Sequence, residues 1–309
     1  MKEQRKMRDS KFKRWLLVHY ERFYSFRRFL IIRTKYRLRI MSPAKTVRYI
    51  LKTKCSIARY GDGEFMLMQQ IGGVYFQKGS PRLADSLCSV MMNRNESLLI
   101  CIPGILNSFR DCNDNSREYW KTWSKEHGYE KYVEKIRDLS GKKYRFGDSQ
   151  ITRPYIDWKN NKRAKKLFPL LKKIWDGRDI LIVEGDQSRL GVGNDLFDGA
   201  RSIKRILAPA ENAFERYDEI CDCILKHAHD RLVLLALGPT ATVLASYLAN
   251  LGYQAIDIGH IDIEYEWFLS GAKEKTAIHG KYTNEVASGR EFTECTDERY
   301  LPQIIEKID

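Results

Sequence analysis

Two carboxylates two residues apart, Asp62-Gly63-Glu64, follow an apolar run that ends in Arg59-Tyr60-Gly61. Hard oxygen ligands at that spacing in a glycine-loosened turn can face one divalent cation, Mg2+ or Mn2+, together with substrate phosphates. A guanidinium nearby can hold a phosphate in its fork. The same acidic pair at a helix start would complement the helix dipole, so the tripeptide alone leaves both readings open. The stretch "SRLGVGND" (188–195) has a similar double reading. Ser188, Arg189, Gly191 and Gly193 suit an anion cradle, with Asn194 and Asp195 available to a ribose or base; a turn capped by Asn194 or Asp195 fits as well. It carries neither the G-K-[ST] of a Walker loop nor the spacing of G-x-G-x-x-G.

Gly238-Pro239-Thr240 stands where the free N–H groups of a helix would meet an anion, although Pro and Thr are also ordinary helix starters. His260, Asp262, Glu264 and Glu266 fall within seven residues. They can supply a general base or a metal ligand, or form the first turn of a short helix.

Side chains of these types act together only if a frame brings them to one place. Short apolar runs at 55–60, 98–102, 143–146, 180–183, 203–207, 231–237 and 254–258 read as strands. Helical periodicity occupies 81–93, 116–127, 162–175, 211–227 and 240–251. That alternation predicts an α/β fold, a mostly parallel sheet with helices packed on it. In such sheets ligands bind beyond the carboxyl ends of the strands. Five stretches there, 59–65, 146–155, 183–197, 237–242 and 257–268, mix glycine with charged or hydroxyl residues.

The 309 residues carry a formal charge of +14, which on its face suggests nucleic acid. Residues 1–41, however, hold 14 Lys and Arg against 3 acidic residues, leaving 40 against 37 for the body. The body is nearly neutral and has no nucleic-acid module, so nucleic acid is not the expected partner. Between residues 11 and 39 there is neither Gly nor Pro, and Phe12, Trp15, Leu16, His19, Phe23, Phe26 and Leu30 recur at steps of three and four. This predicts a basic amphipathic helix suited to an anionic membrane surface, or to docking on protein. Met41-Ser42-Pro43 punctuates the chain, placing an N-terminal extension at 1–41 and the main domain at 42–309. Seven cysteines without a C-x-x-C pair point to a reducing cytoplasm, and the absence of a long apolar run or a signal-peptide core predicts neither spanning nor export.

Taken in order, "ARYGDGEF", "SRLGVGNDLF", "NAFERY", "LALGPTATVLASYLANLGYQAIDIGHIDIEYEWFL" and "KYTNE" closely resemble the bacterial glycosyltransferases of the GT-D fold type, over roughly residues 44–305. The resemblance implies a Rossmann-like sheet with helices on both faces and a UDP-sugar donor. It also implies a glycan acceptor in surface glycoproteins or polysaccharides, carried on lipid or protein. Its Asp-x-Glu motif maps onto Asp62 and Glu64 as ligands of Mn2+ or Mg2+. On that reading we assign Arg59, Gly61, Ser188, Arg189, Asn194, Gly238 and Thr240 to the nucleotide sugar, and His260 or Glu264 to activation of the acceptor hydroxyl. With the basic extension, the enzyme is expected in the cytoplasm, peripheral at the inner face of the membrane. A nonenzymatic nucleotide-binding scaffold is the competing expectation, and the intact Asp-x-Glu argues against it.

Overall fold

The computed structural model describes residue 13 and residues 37–127, 129–283, 285–290, 295 and 297–309. Most of the amphipathic stripe expected at 1–41 therefore lies outside the described residues. Among the described residues nine strands form one sheet: β1 (Arg39–Ile40), β2 (Ser56–Arg59), β3 (Leu98–Ile102), β4 (Arg145–Asp148), β5 (Asp179–Gly185), β6 (Ser202–Ala208), β7 (Leu232–Ala236), β8 (Ala255–Asp257) and β9 (Ile304–Lys307). Every pairing is parallel, in the order β1-β4-β3-β2-β8-β7-β5-β6-β9. The described helices are α1 (Pro43–Thr53), α2 (Asp62–Met68), α3 (Pro81–Met92), α4 (Asp114–Glu126), α5 (Tyr129–Ser140), α6 (Lys162–Lys172), α7 (Tyr217–His227), α8 (Pro239–Asn250) and α9 (Ile261–Ser270).

Both faces of the sheet are covered, which is why the central strands β3, β5 and β7 are nearly continuous apolar runs without alternation. Ile57, Ile180, Ile182, Leu232 and Leu234 point to the face that Val47 and Ile50 of α1 and Leu167, Phe168 and Leu171 of α6 complete. Their neighbours Leu181, Val183, Val233 and Leu235 are equally buried and, by the period of two, point the other way. On that side α8 packs on β2, β7 and β8, with α3 beside it. α8 is buried nearly all round, so it reads as an apolar run with little amphipathic stripe.

The contacts divide the chain into two units between Leu38 and Arg39. Arg39 and Ile40 pair with Arg145 and Phe146, and the Met41 N–H donates to the Phe146 carbonyl. Pro43 opens α1 behind Ser42, as that punctuation predicts. From β2 the chain winds outward through β3 and β4, and it returns much later as β8 on the other side of β2. The adjacent carboxyl ends of β2 and β8 thus flank a topological switch point, where loops diverge and leave a crevice. All seven cysteines are free thiols, and no described helix is long and apolar enough to cross a membrane.

Candidate functional site

A cleft of about 870 Å³ opens at that switch point. All five stretches singled out in the sequence reach its wall, through Asp62 and Glu64, Arg153, Ser188, Gly238 and His260 among others. Asp62-Gly63-Glu64 forms the first turn of α2, and all three residues line the cleft. Gly61 caps that helix, and its N–H donates to Glu64 Oε2 at 2.6 Å. Tyr119 of α4 donates its hydroxyl to Asp62 Oδ2. Burial pushes the Glu64 carboxyl up to about 7 against the pull of the Gly61 N–H, and Asp257 and Asp62 add to the rise.

Arg59, at the end of β2, lines the cleft but turns its fork into the protein. Its Nε and one terminal nitrogen reach Asp257 Oδ1 of β8 at 3.1 and 2.8 Å, and the other terminal nitrogen donates to the Ser149 carbonyl and to Thr152 Oγ1. Arg59 therefore ties the two strands of the switch point to the loop after β4. Gly259 makes room for it: the backbone there has φ 43°, and a Cβ would stand 1.8 Å from the guanidinium. Asp257, wholly buried, is pushed up by burial and held back by Arg59.

Another part of the wall is organised by Glu285, the last residue of the "KYTNE" string, to which the sequence reading gave no role. Its carboxylate meets Arg153, Lys275 and, at 3.2 Å, His260 Nε2. Arg153 also approaches Asp157 at 3.5 Å. Three cationic or ionisable groups from the loop after β4, the start of α9 and the segment after α9 thus converge on one carboxylate. Burial lowers the Lys275 ammonium, with Arg153 adding to the effect. Tyr119, Phe76 and Trp120 supply aromatic wall that also lay outside the marked stretches.

Arg189, Asn194, Thr240 and Glu264, each assigned a role with the nucleotide sugar or acceptor, are off the cleft wall. Arg189 takes φ 49° and donates to the Gly280 carbonyl at 2.8 Å. Asn194 donates to Asp262 and Glu266 at 2.8 and 2.7 Å and accepts from the Leu196 N–H. Lys281 Nζ, also buried, joins the same two carboxylates at 2.7 and 2.8 Å. Thr240 is buried beside Gln77, at 3.5 Å. Glu264, wholly buried, accepts the N–H groups of Tyr155 and Ile156 at 2.9 and 3.1 Å. Burial lifts its carboxyl to about 7, with Asp157 adding to the rise. Hence the cluster splits: Asp262 and Glu266, one turn apart on α9, share Asn194 and Lys281, Glu264 holds the Tyr155 and Ile156 N–H groups, and of the two candidate bases only His260 lines the cleft. A helix sends residues one and two positions apart to different faces, which separates such a cluster.

The model of the family described as "Glycosyltransferase GT-D fold" matches residues 57–286. The chain is 38% identical over 270 residues to the probable glycosyl transferase Gly of Streptococcus gordonii, covering 87% of this chain and 39% of that protein. It is 39% identical over 269 residues to glycosyltransferase GlyD of Streptococcus pneumoniae serotype 4, covering 85% of this chain and 32% of that protein. The chain thus spans well under half the length of these relatives. Among solved structures, one described as a highly conserved domain of unknown function 1792 with a distinct glycosyltransferase fold superposes with a TM-score of 0.82 at 37% identity, over 93% of this chain and 99% of that one. A second, described as a new glycosyltransferase of the same domain type from Streptococcus sanguinis, gives 0.81 at 36% identity, over 88% and 100%. With the fold, the Asp-x-Glu turn at the switch point and these matches in agreement, the chain belongs to the GT-D-fold glycosyltransferase family.

Proposed function

We propose that the cleft transfers a sugar from a UDP-sugar to a hydroxyl of a glycan acceptor, with Mn2+ or Mg2+ held by Asp62 and Glu64. The observation that carries this reading is the meeting, at one switch-point cleft, of a carboxylate pair with Arg153, Lys275 and His260. The donor set fits such a cation. Each carboxylate has one oxygen engaged by a protein donor, and two hard ligands are what octahedral Mg2+ or Mn2+ takes when diphosphate oxygens and waters complete its shell. When bound, the cation would neutralise charge on the departing diphosphate.

The chain's own residues account for the rest. α8 opens on the cleft at Gly238 and Pro239, where its N-terminal partial charge favours an anion. Gly238 has φ 54°, and a Cβ there would lie 2.2 Å from the Phe76 ring, so glycine is required for that approach. Arg153 and Lys275 put positive charge on the wall, and Ser188 offers a hydroxyl. His260, steadied by Glu285, is the group placed to take the proton of an acceptor hydroxyl.

For the acceptor, a surface polysaccharide precursor or a glycoprotein glycan, the basic extension adds a location. The 14 Lys and Arg of residues 1–41 would hold the enzyme to the anionic inner face of the membrane, at up to about 1 kcal/mol per basic residue near the surface. Full-length protein should then sediment with anionic vesicles at low salt and be released at high salt; indifference to the vesicles would favour docking on protein. The reaction itself is tested with a panel of nucleotide sugars, with and without Mn2+. The reading expects metal-dependent release of UDP from a UDP-sugar. Tight nucleotide binding with no turnover of any donor would favour the scaffold instead.

A further inference from the structure

Away from the cleft, α7 and the edge strand β9 bring three metal-ligating side chains together. Cys223 and His227 are four residues apart on α7, hence on one face, and Glu306 faces them from β9. One ligand atom from each, the Cys223 Sγ, a His227 ring nitrogen and a Glu306 carboxylate oxygen, all lie within 4.8 Å of one another. His227 Nε2 and Glu306 Oε1 are 3.2 Å apart. None of the three residues lines the cleft.

We propose that Cys223, His227 and Glu306 form a zinc site, with water as the fourth ligand, that ties the edge strand β9 to α7.

Bond lengths of about 2.0–2.3 Å in a tetrahedral zinc centre put ligand atoms roughly 3.4–3.6 Å apart, so the His–Glu pair at 3.2 Å is close to the needed spacing and the thiol, within 4.8 Å of both partner atoms, has at most about 1 Å to close. A thiolate with an imidazole and a carboxylate selects zinc over the hard cations suited to Asp62 and Glu64. The backbone assists in two ways. α7 ends at His227, so the negative end of its dipole lies beside the site and favours a cation. The register of β9 shifts between Ile304, opposite Arg205, and Glu306, opposite Ile206; irregularities of this kind re-aim a side chain. Cys223 is buried, whereas His227 and Glu306 are partly exposed, which leaves an entry path. On coordination the Cys223 S–H bond breaks, the proton leaves to solvent, and the sulfur donates an electron pair to the metal.

Cobalt(II) titrated into chelator-treated full-length protein reports this chemistry through its thiolate charge-transfer absorption. The proposal expects one equivalent bound, tetrahedral in spectrum and displaced by Zn2+. Cys223→Ser should abolish the charge-transfer band, Cys221→Ser should keep it, and Glu306→Gln should weaken cobalt binding at least tenfold. Zn2+ should raise the melting temperature of the wild type and not of Cys223→Ser. Should Cys223→Ser fail to fold, Glu306→Gln and wild-type stoichiometry decide the matter alone. No charge-transfer band in the wild type, a band that persists in folded Cys223→Ser, or Glu306→Gln binding cobalt as tightly as wild type would overturn it, leaving an ion pair beside a packed thiol.

Discussion

The turn after β2 and the turn after β5 are written in the same residue types, and the structure aims them differently. After β2, a helix starts at once, so Asp62 and Glu64 occupy its first turn and stand on the cleft wall. After β5, the chain runs through a longer glycine-rich turn that must hold itself together. Glu184 accepts the Leu190 N–H at 2.7 Å and pairs with Arg205 at 2.5 Å; Asp262 accepts the Gly191 N–H at 2.8 Å. Asp195 is bound by Lys172 and Tyr265, both at 2.7 Å. Of the marked side chains in that turn, only Ser188 reaches the cleft. Buried carboxylates and forks need partners before they can serve a ligand, and the longer turn supplies those partners from within the protein.

If the first turn does chemistry and the second holds structure, substitutions should separate them. Asp62→Asn and Glu64→Gln, nearly equal in volume to the native residues, should each cut transfer by about 100-fold or more, the scale on which electrostatic stabilisation of a leaving group is lost. Their melting curves should stay close to wild type. Turnover near wild type in either variant would remove the carboxylate pair from the reaction.

A smaller effect is expected at the tie between the strands. Gly259→Ala combines a positive φ with a collision against Arg59, and should cost about 1–3 kcal/mol of stability by denaturant unfolding. Unchanged stability would mean that Arg59 has another place to go.

Glu264 gives a pH-dependent test of the structural side. Its folded value of about 7 lies above the ordinary 4.5, so the folded state binds the proton more tightly. The stability this contributes is complete below about pH 4.5 and is lost as pH rises through 7, a span of roughly 2–4 kcal/mol. Glu264→Gln should flatten that part of the decline between about pH 5 and 8 in unfolding measurements. An equally steep decline in the variant would assign it to other groups, Glu64 first among them.

The smallest change is expected from Arg189→Ala. The guanidinium holds the Gly280 carbonyl and does not line the cleft, so donor affinity should stay within about twofold while stability falls by about 1 kcal/mol. A tenfold loss of donor affinity with unchanged folding would return Arg189 to the nucleotide.

What the sequence made legible follows the same division. Seven central strands were visible as short runs: burial on both faces keeps β3, β5 and β7 nearly apolar, and the apolar residues of β4 and β6 sufficed despite Arg145, Asp148, Lys204 and Arg205. The two-residue β1 and the edge strand β9 carry too little pattern. α2 has seven residues, fewer than a helical period can announce, and α9 buries Asp262 and Glu264 alongside Ile261, Ile263 and Trp267, so no polar stripe marks it. α5 did carry a signal, in Tyr132, Val133 and Ile136, that the strand-and-helix reading passed over. Glycine and charge located five stretches that reach the cleft, and missed those that bring Phe76, Tyr119, Lys275 and Glu285 to it. The direction of each side chain stayed hidden, because it depends on partners far along the chain: Arg59 on Asp257, Arg153 on Glu285, Glu264 on Tyr155.

The most direct measurement is the affinity of UDP for the full-length protein by calorimetry, with Mn2+ and in chelator, for wild type and Asp62→Asn. The account predicts that Mn2+ tightens UDP binding to the wild type at least tenfold and leaves binding to Asp62→Asn unchanged. Equal affinity of the wild type for UDP with and without the metal would contradict it.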